Sequence, residues 1–259
     1  LPNNPIYNPD GTFYGLPGSG QNMVGTFNHN VMAIGEFVKY FTRTNQFIGS
    51  LSVNYKILPS LTLKSMIGLD YRLTQDHRYQ DPRVNDAFAV NGRLSDQSDW
   101  NTNLITTTTL SYNKTFKDVH NVSAFVGVEY RRDQNQWFQA DGQGFPSYLL
   151  QYLSAASTPV SVSGQWTASG TFSQFGKLGY SYKGRYIFNY TLRRDGSSRF
   201  GENNQYGTFQ SAQFAWNVKD ESFLKSVKAV SDLKLRYSFG QAGNDQIGNN
   251  YSYMDLFNI

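Results

Sequence analysis

Residues 177–216 read KLGYSYKGRYIFNYTLRRDGSSRFGENNQYGTFQSAQFAW. Two alternating runs flank Lys183-Gly184, and a charged, Gly- and Ser-rich run ends the second: Arg193-Arg194-Asp195-Gly196-Ser197-Ser198-Arg199-Phe200-Gly201. This is the pattern of a β-hairpin with one tight end and one long polar end. After the tight turn, Tyr186, Phe188, Tyr190 and Leu192 share one face. Asn189, Thr191 and Arg193 share the other, with Ile187 the exception, because successive side chains of a strand point to opposite sides. One face requires apolar surroundings and the other tolerates water.

The same alternation extends in both directions. Phe47, Leu51, Val53, Tyr55 and Ile57 oppose Ser50, Ser52, Asn54 and Lys56. Past Pro59-Ser60, Leu61, Leu63, Ile67, Leu69, Tyr71 and Leu73 oppose Thr62, Lys64, Asp70 and Arg72. Trp100, Leu104, Leu110 and Tyr112 mark a third strand, and Val122, Ala124, Val126, Val128 and Tyr130 a fourth, around a turn at 113–120. Strands at 166–182, 186–194 and 206–217 follow, and Leu233, Leu235, Tyr237 and Phe239 mark an eighth. The linker 219–230 reads as one or two helical turns capped by Asp220. Pro2, Pro5, Pro9, Asp10-Gly11 and Pro17-Gly18 break residues 1–44 into a long loop with a short helix around 31–41. Residues 45–259 form the strand-bearing domain.

Composition narrows the class. A mean hydropathy of −0.51 and the lack of any run of roughly eighteen apolar residues exclude a helical membrane bundle. They do not exclude a β-barrel, whose apolar residues occupy alternate positions. Aromatics make up 16% of the chain, with 18 Tyr and 19 Phe, as interfacial girdles require. No cysteine is present, which removes disulfides and thiolate chemistry. A net charge of +4, scattered without a basic stripe, gives no nucleic-acid footprint. Leu1 opens no basic-apolar leader, and the chain ends at Ile259 in a polar run, as an excerpt from a longer protein would.

A soluble sandwich also buries one face of each strand, so three further features favour a barrel. The alternating runs exceed the roughly 9 to 11 residues that cross a bilayer. Short connections at Pro59, 113–120, 183–184 and 219–230 alternate with longer ones at 74–99, 131–165 and 195–205. Tyr55, Tyr112, Tyr182, Tyr186 and Trp216 fall beside the short connections, and Phe47, Tyr71, Trp100, Tyr130 and Trp166 beside the long ones, as two belts. The fold class is therefore all-β, an antiparallel transmembrane β-barrel segment of about eight long strands, with the long loops outside the cell and the 183–184 turn periplasmic. A self-contained eight-stranded barrel acting as adhesin or anchor, and a soluble glycan-binding β-sandwich, remain as alternatives.

The run from Arg193 to Gly201, preceded by Gly179-Tyr180-Ser181-Tyr182-Lys183-Gly184-Arg185-Tyr186, resembles the signature of SusC/RagA-type TonB-dependent outer-membrane transporters. A second run, Ser231-Asp232-Leu233-Lys234-Leu235-Arg236-Tyr237-Ser238-Phe239-Gly240-Gln241-Ala242-Gly243-Asn244, resembles a later hallmark of that family. The resemblance is clearest over 175–244. It implies a barrel of about twenty-two strands, of which this chain supplies about eight. It also implies a plug and a TonB-contacting N-terminal region outside this sequence, a SusD-like surface lipoprotein as partner, and import of glycans or peptides across the outer membrane. No enzyme activity and no cofactor are implied.

The chain carries no G-x-S-x-G, P-loop or H-E-x-x-H motif. His29, His77 and His120 lie far apart, and no metal site is assigned. Asp81, Asp86, Asp96 and Asp99 crowd one loop without the spacing of a calcium loop and read as a solvated acidic segment. In the longest loop, Trp137, Phe138, Tyr148 and Tyr152 stand beside Asp141, Gln143 and Gln151, a mixture suited to stacking on sugars or closing over a peptide. Packing of that loop on itself explains the same aromatics. Arg193, Arg194, Asp195 and Arg199 read as a structural network where the strand leaves the membrane.

Overall fold

The computed structural model describes residues 4–21 and 30–254. His29 and the two chain ends lie outside the described residues. Eight strands form one sheet in chain order: β1 Lys39–Leu58, β2 Leu61–Gln80, β3 Arg93–Phe116, β4 His120–Gln143, β5 Thr158–Tyr182, β6 Tyr186–Ser197, β7 Tyr206–Asn217 and β8 Lys234–Gly240. Three short helices lie between or before them: α1 Val31–Phe37, α2 Asn85–Phe88 and α3 Ser222–Lys225. A single sheet in chain order is not a sandwich, which needs two. No helix among the described residues is long and apolar enough to cross a membrane, which leaves crossing by strands open.

Strands β1 to β5 run 20 to 25 residues each, and the loops are correspondingly shorter than the sequence suggests. The expected loops at 74–99, 131–165 and 195–205 contract to 81–92, 144–157 and 198–205. The helix at 31–41 ends at Phe37, because Val38 is already extended. The cause is the polar character of the strand ends. Thr42 donates to Asp76, Thr44 and Thr74 share a hydroxyl contact, and Asn135 donates to Asp99 and Asn101. Polar residues that look like loop in sequence are here cross-strand pairs.

The chain divides into two compact units. The first comprises 1–46, 71–101 and 135–166, and it contains a buried core of Tyr79, Leu94 and Phe145 with Leu153, Ala155 and Ala156 packed on it. The Tyr79 and Phe145 rings meet edge to face at 5.5 Å, a favoured geometry for the aromatic quadrupoles. The segment carrying Phe145 is held by its backbone, since Asn91 Nδ2 donates to the Phe145 carbonyl at 2.6 Å. Asn30 caps α1, accepting from the Met32 and Ala33 amides and donating to the Ile6 and Tyr14 carbonyls.

The second unit comprises 47–70, 102–134 and 167–259. Its register aligns apolar residues in rows across β5 to β8: Tyr180, Phe188, Phe214 and Tyr237 in one, Tyr182, Tyr186, Trp216 and Leu235 in the next. The opposite face carries Gly179, Asn189, Gln213 and Ser238, then Lys177, Thr191, Ser211 and Gly240. The apolar rows are the exposed ones: Phe188, Phe214, Tyr237 and Leu235 are all exposed, as are Leu51, Val53, Tyr55 and Val126. A water-soluble sheet does the reverse, so this face requires an apolar medium.

Candidate functional site

The two family-like runs converge on the polar face of β6 and β7. Arg193, Asp195, Gly196, Ser197 and Phe200 from the first, and Gly243 and Asn244 from the second, line a cavity of about 360 Å³ with Thr171, Ser173, Tyr206, Gly207 and Phe209. Their strand positions explain the meeting: Arg193 pairs with both Phe175 and Phe209, and Asp195 with Ser173 and Gly207.

Arg193 is the hub. Its Nε donates to Asp195 at 2.6 Å, and Nη2 donates to Ser173 at 2.9 Å and Glu129 at 3.3 Å. The Thr107 hydroxyl donates to the other Glu129 oxygen. One guanidinium thus ties β4, β5 and β6 together, and through Glu129 reaches β3. The fixed fork of arginine suits such a hub better than the point charge of lysine.

Arg199 performs a second tie. It donates to Asn250 at 2.9 Å, to Ser169 at 3.3 Å and to the Asp245 carbonyl at 3.4 Å, and its Nη1 lies 3.4 Å from the Asp245 carboxylate. Ser197 donates to Asp245 at 3.0 Å, and Tyr251 accepts from the Ala168 amide. Ser198 closes the turn: its amide donates to the Gly170 carbonyl while its hydroxyl accepts from the Gly170 amide. The segment after β8 is therefore strapped to the β6–β7 loop. Arg194 points to the other face, over the Tyr206 ring at 4.6 Å. A Cβ on Gly196 would lie 2.5 Å from that ring, and one on Gly207 2.7 Å from Phe209, so the glycines admit both aromatics. Phe200 and Gly201 complete the run, Gly201 starting a 3₁₀ turn at Glu202–Asn204.

The arrangement is a fixed polar surface with flat aromatic faces and no proton-transfer pair. Sequence reading found Arg193, Asp195 and Arg199 but not Glu129, Asp245, Asn250 or Tyr251. Nothing in the motif spacing points to partners 46 or more residues away.

The four loop aromatics are not brought together. Trp137 and Phe138 lie on β4, not in a loop, and as neighbours on a strand they face opposite ways. Tyr148 stacks on Arg83, whose guanidinium lies 4.0 Å from its ring and 3.8 Å from that of Phe37. That same Arg83 grips Asp81 through two 2.8 Å bonds, and Asp81 is 1% exposed. The acidic segment is thus solvated only in part: Asp81 is buried and Asp86 exposed, while Asp96 bonds His77 at 2.7 Å and Asp99 bonds Asn101 and Asn135, both acids being partly exposed. Phe138 and Tyr152 do share one place, a groove of about 720 Å³ that also holds Lys39, Phe41, Arg43 and His77.

At the short-turn end, Glu221 receives the Tyr186 hydroxyl at 2.6 Å, the Trp216 indole at 3.1 Å and Arg185 at 3.2 Å. The Tyr186 bond, followed by that of Trp216, lowers its carboxyl pKa from the ordinary 4.5. The expected Asp220 cap is absent. Asp220 ends a 3₁₀ turn, and Glu221 precedes α3 without a side-chain cap because its carboxylate is committed elsewhere.

No model of a protein family matches the chain. The TonB-dependent receptor SusC of Bacteroides thetaiotaomicron is 32% identical, over 96% of this chain and 24% of that protein. The TonB-dependent receptor P3 of Formosa agariphila is 30% identical, over 93% of this chain and 24% of its own length. Among solved structures, the RagAB peptide transporter superposes with a TM-score of 0.83 at 22% identity, covering 95% of this chain and 27% of that one. The RagAB peptide importer in its closed-closed state gives 0.84 at 21%, covering 97% and 28%. The chain spans about a quarter of the length of the curated relatives it matches.

Proposed function

This chain belongs to the SusC/RagA type of TonB-dependent receptor, and from that premise we propose that it forms part of the outer-membrane barrel of a nutrient importer. The observation that carries the reading is the inverted burial of the sheet: its apolar rows are exposed while its polar face is cross-linked by Arg193 and Arg199. A barrel wall with lipid on one side and a polar lumen on the other has this chemistry.

The work assigned to the chain is positional. Arg193 fixes the lumen face of four strands, and Arg199 holds the loop and the segment after β8 where cargo passes. The cargo is a glycan or peptide oligomer, handed over by a SusD-like surface lipoprotein, with energy from TonB acting through the receptor's N-terminal region. The relatives named TonB-dependent receptors support the energy coupling, and the lipoprotein partner follows from the resemblance of the two sequence runs to the SusC type.

The test is uptake of fluorescent oligosaccharides and oligopeptides by cells carrying the whole receptor, its deletion, or an Arg199→Ala version. Wild-type cells should accumulate one cargo class in a TonB-dependent manner, and Arg199→Ala should lower the rate several-fold with the barrel still assembled. Uptake unchanged by the deletion for both classes would overturn the proposal.

A further inference from the structure

In the groove that holds Phe138 and Tyr152, the residues from β1 stand on the opposite face of that strand from its polar pairs. On β1, the even-numbered Tyr40, Thr42 and Thr44 bond across to Gln80, Asp76 and Thr74. The odd-numbered Lys39, Phe41 and Arg43 therefore occupy the other face. Further along this same strand, that face carries Phe47, Leu51, Val53, Tyr55 and Ile57, all exposed. Arg43 precedes Phe47 by four residues, about 13 Å of strand. Cations at the end of an apolar strand face stand at the depth of lipid headgroups.

The groove is chemically two-sided. Phe41, Phe138 and Leu149 are exposed at 51%, 45% and 73% and form an apolar wall. Phe41 is stacked on His77 at 4.8 Å and Phe138 on Trp100 at 5.7 Å, so both rings are held in place. The two acids at the groove are already engaged, Asp76 by the Thr42 hydroxyl with Arg78 at 3.8 Å, and Asp96 by His77. Lys39 and Arg43 have no hydrogen-bond or ion-pair partner among the described residues. Two cations without a direct ion-pair partner among the described residues, beside an open apolar wall, suit an anion that carries a hydrocarbon tail, and not a free anion. The volume of about 720 Å³ lies within the roughly 300 to 1,000 Å³ of ligand sites.

We propose that this groove binds a phosphate-bearing lipid of the surrounding leaflet, its phosphate between Lys39 and Arg43 and an acyl chain along Phe41, Phe138 and Leu149. The assignment rests on the outer-membrane reading above.

The test is native mass spectrometry of the whole receptor purified from outer membranes, delipidated in detergent and offered a lipid A-type bisphosphorylated lipid or its dephosphorylated form. Wild type should retain the phosphorylated lipid about ten-fold better than the dephosphorylated one, and millimolar inorganic phosphate should not displace it. The double substitution Lys39→Gln and Arg43→Gln should abolish that preference, Phe138→Ala should weaken retention of both lipids, and Lys56→Gln should change nothing. Both cations are exposed, and heat-modifiable gel mobility checks that each variant is folded. Equal retention by wild type and the double variant would overturn the lipid site while leaving the importer intact. Displacement by inorganic phosphate would also overturn it, showing a simple anion site. Absence of the receptor from the outer-membrane fraction would overturn the importer reading itself.

Discussion

Phe145 and Phe214 are the same side chain in two different surroundings: the first is 1% exposed and the second 45%. Phe145 sits in the unit that has a protein core, against Tyr79 and Leu94. Phe214 sits in the unit whose sheet presents aromatic rows outward, between Phe188 and Tyr237. Tyr79 and Leu94 lie on strands of the first unit as Phe214 does on one of the second, yet they are buried. Alternation therefore reports that a face is apolar, and only the surrounding chain reports whether protein or another medium covers it. In the first unit the segment 144–157 supplies the cover, and in the second no segment of the described chain does.

The largest effect expected of this contrast is at the buried ring. Phe145→Ala should cost about 3 to 5 kcal/mol, the range for truncating a buried aromatic, read in the whole receptor as lost amide-exchange protection over 81–92 and 144–157. Phe214→Ala should cost clearly less, and an equal cost would erase the distinction between the two media.

Next in size is a charge on the exposed face. Val126→Arg or Leu69→Arg should cost about 2 to 4 kcal/mol near a bilayer midplane, measured by reversible unfolding of the receptor in lipid bilayers. Thr107→Arg, on the polar face beside Glu129, should cost much less. Penalties of equal size on the two faces would show that the exposed rows do not meet lipid.

The smallest effect is electrostatic. Glu221 has a lowered folded-state pKa, so it adds stability above the ordinary carboxylate value of 4.5. That contribution fades as pH falls through the lowered value. Trp216 fluorescence followed from pH 7 to about 3 should report loosening of the short-turn end, and Glu221→Gln should flatten the curve. A wild-type profile indistinguishable from that of Glu221→Gln would remove the carboxylate from the second unit's support.

Much of this was legible in the residues themselves. The β5–β6 hairpin follows from the alternation around Lys183-Gly184, and Lys183 takes the positive φ of 52° that such a turn needs. Strand ends were not legible, because Thr42, Asp76, Asn101 and Asn135 are polar in sequence and become strand only by pairing with one another across it. The candidate site was half legible. Its arginines stand in a recognisable run, while Glu129 and Asp245 are ordinary acids until the sheet register and the strap bring them to Arg193 and Arg199. The placement of the loop aromatics was not legible: Trp137 and Phe138 read as loop beside polar residues, and they lie on β4, where a strand turns neighbours to opposite faces.

Phe209 meets both halves of the family-like pattern: it pairs with Arg193 of the first run across β6 and β7, and a Cβ on Gly243 of the second would collide with its ring. The two runs are thus a single epistatic unit, governed by one phenyl ring. An alanine at Gly243 forces the Phe209 ring to shift and loses that obstruction once Phe209 becomes small, so the order in which such changes arise bears on which of them a lineage can accept. A double-mutant cycle on Phe209 and Gly243 would find the two substitutions far less harmful together than their separate costs imply.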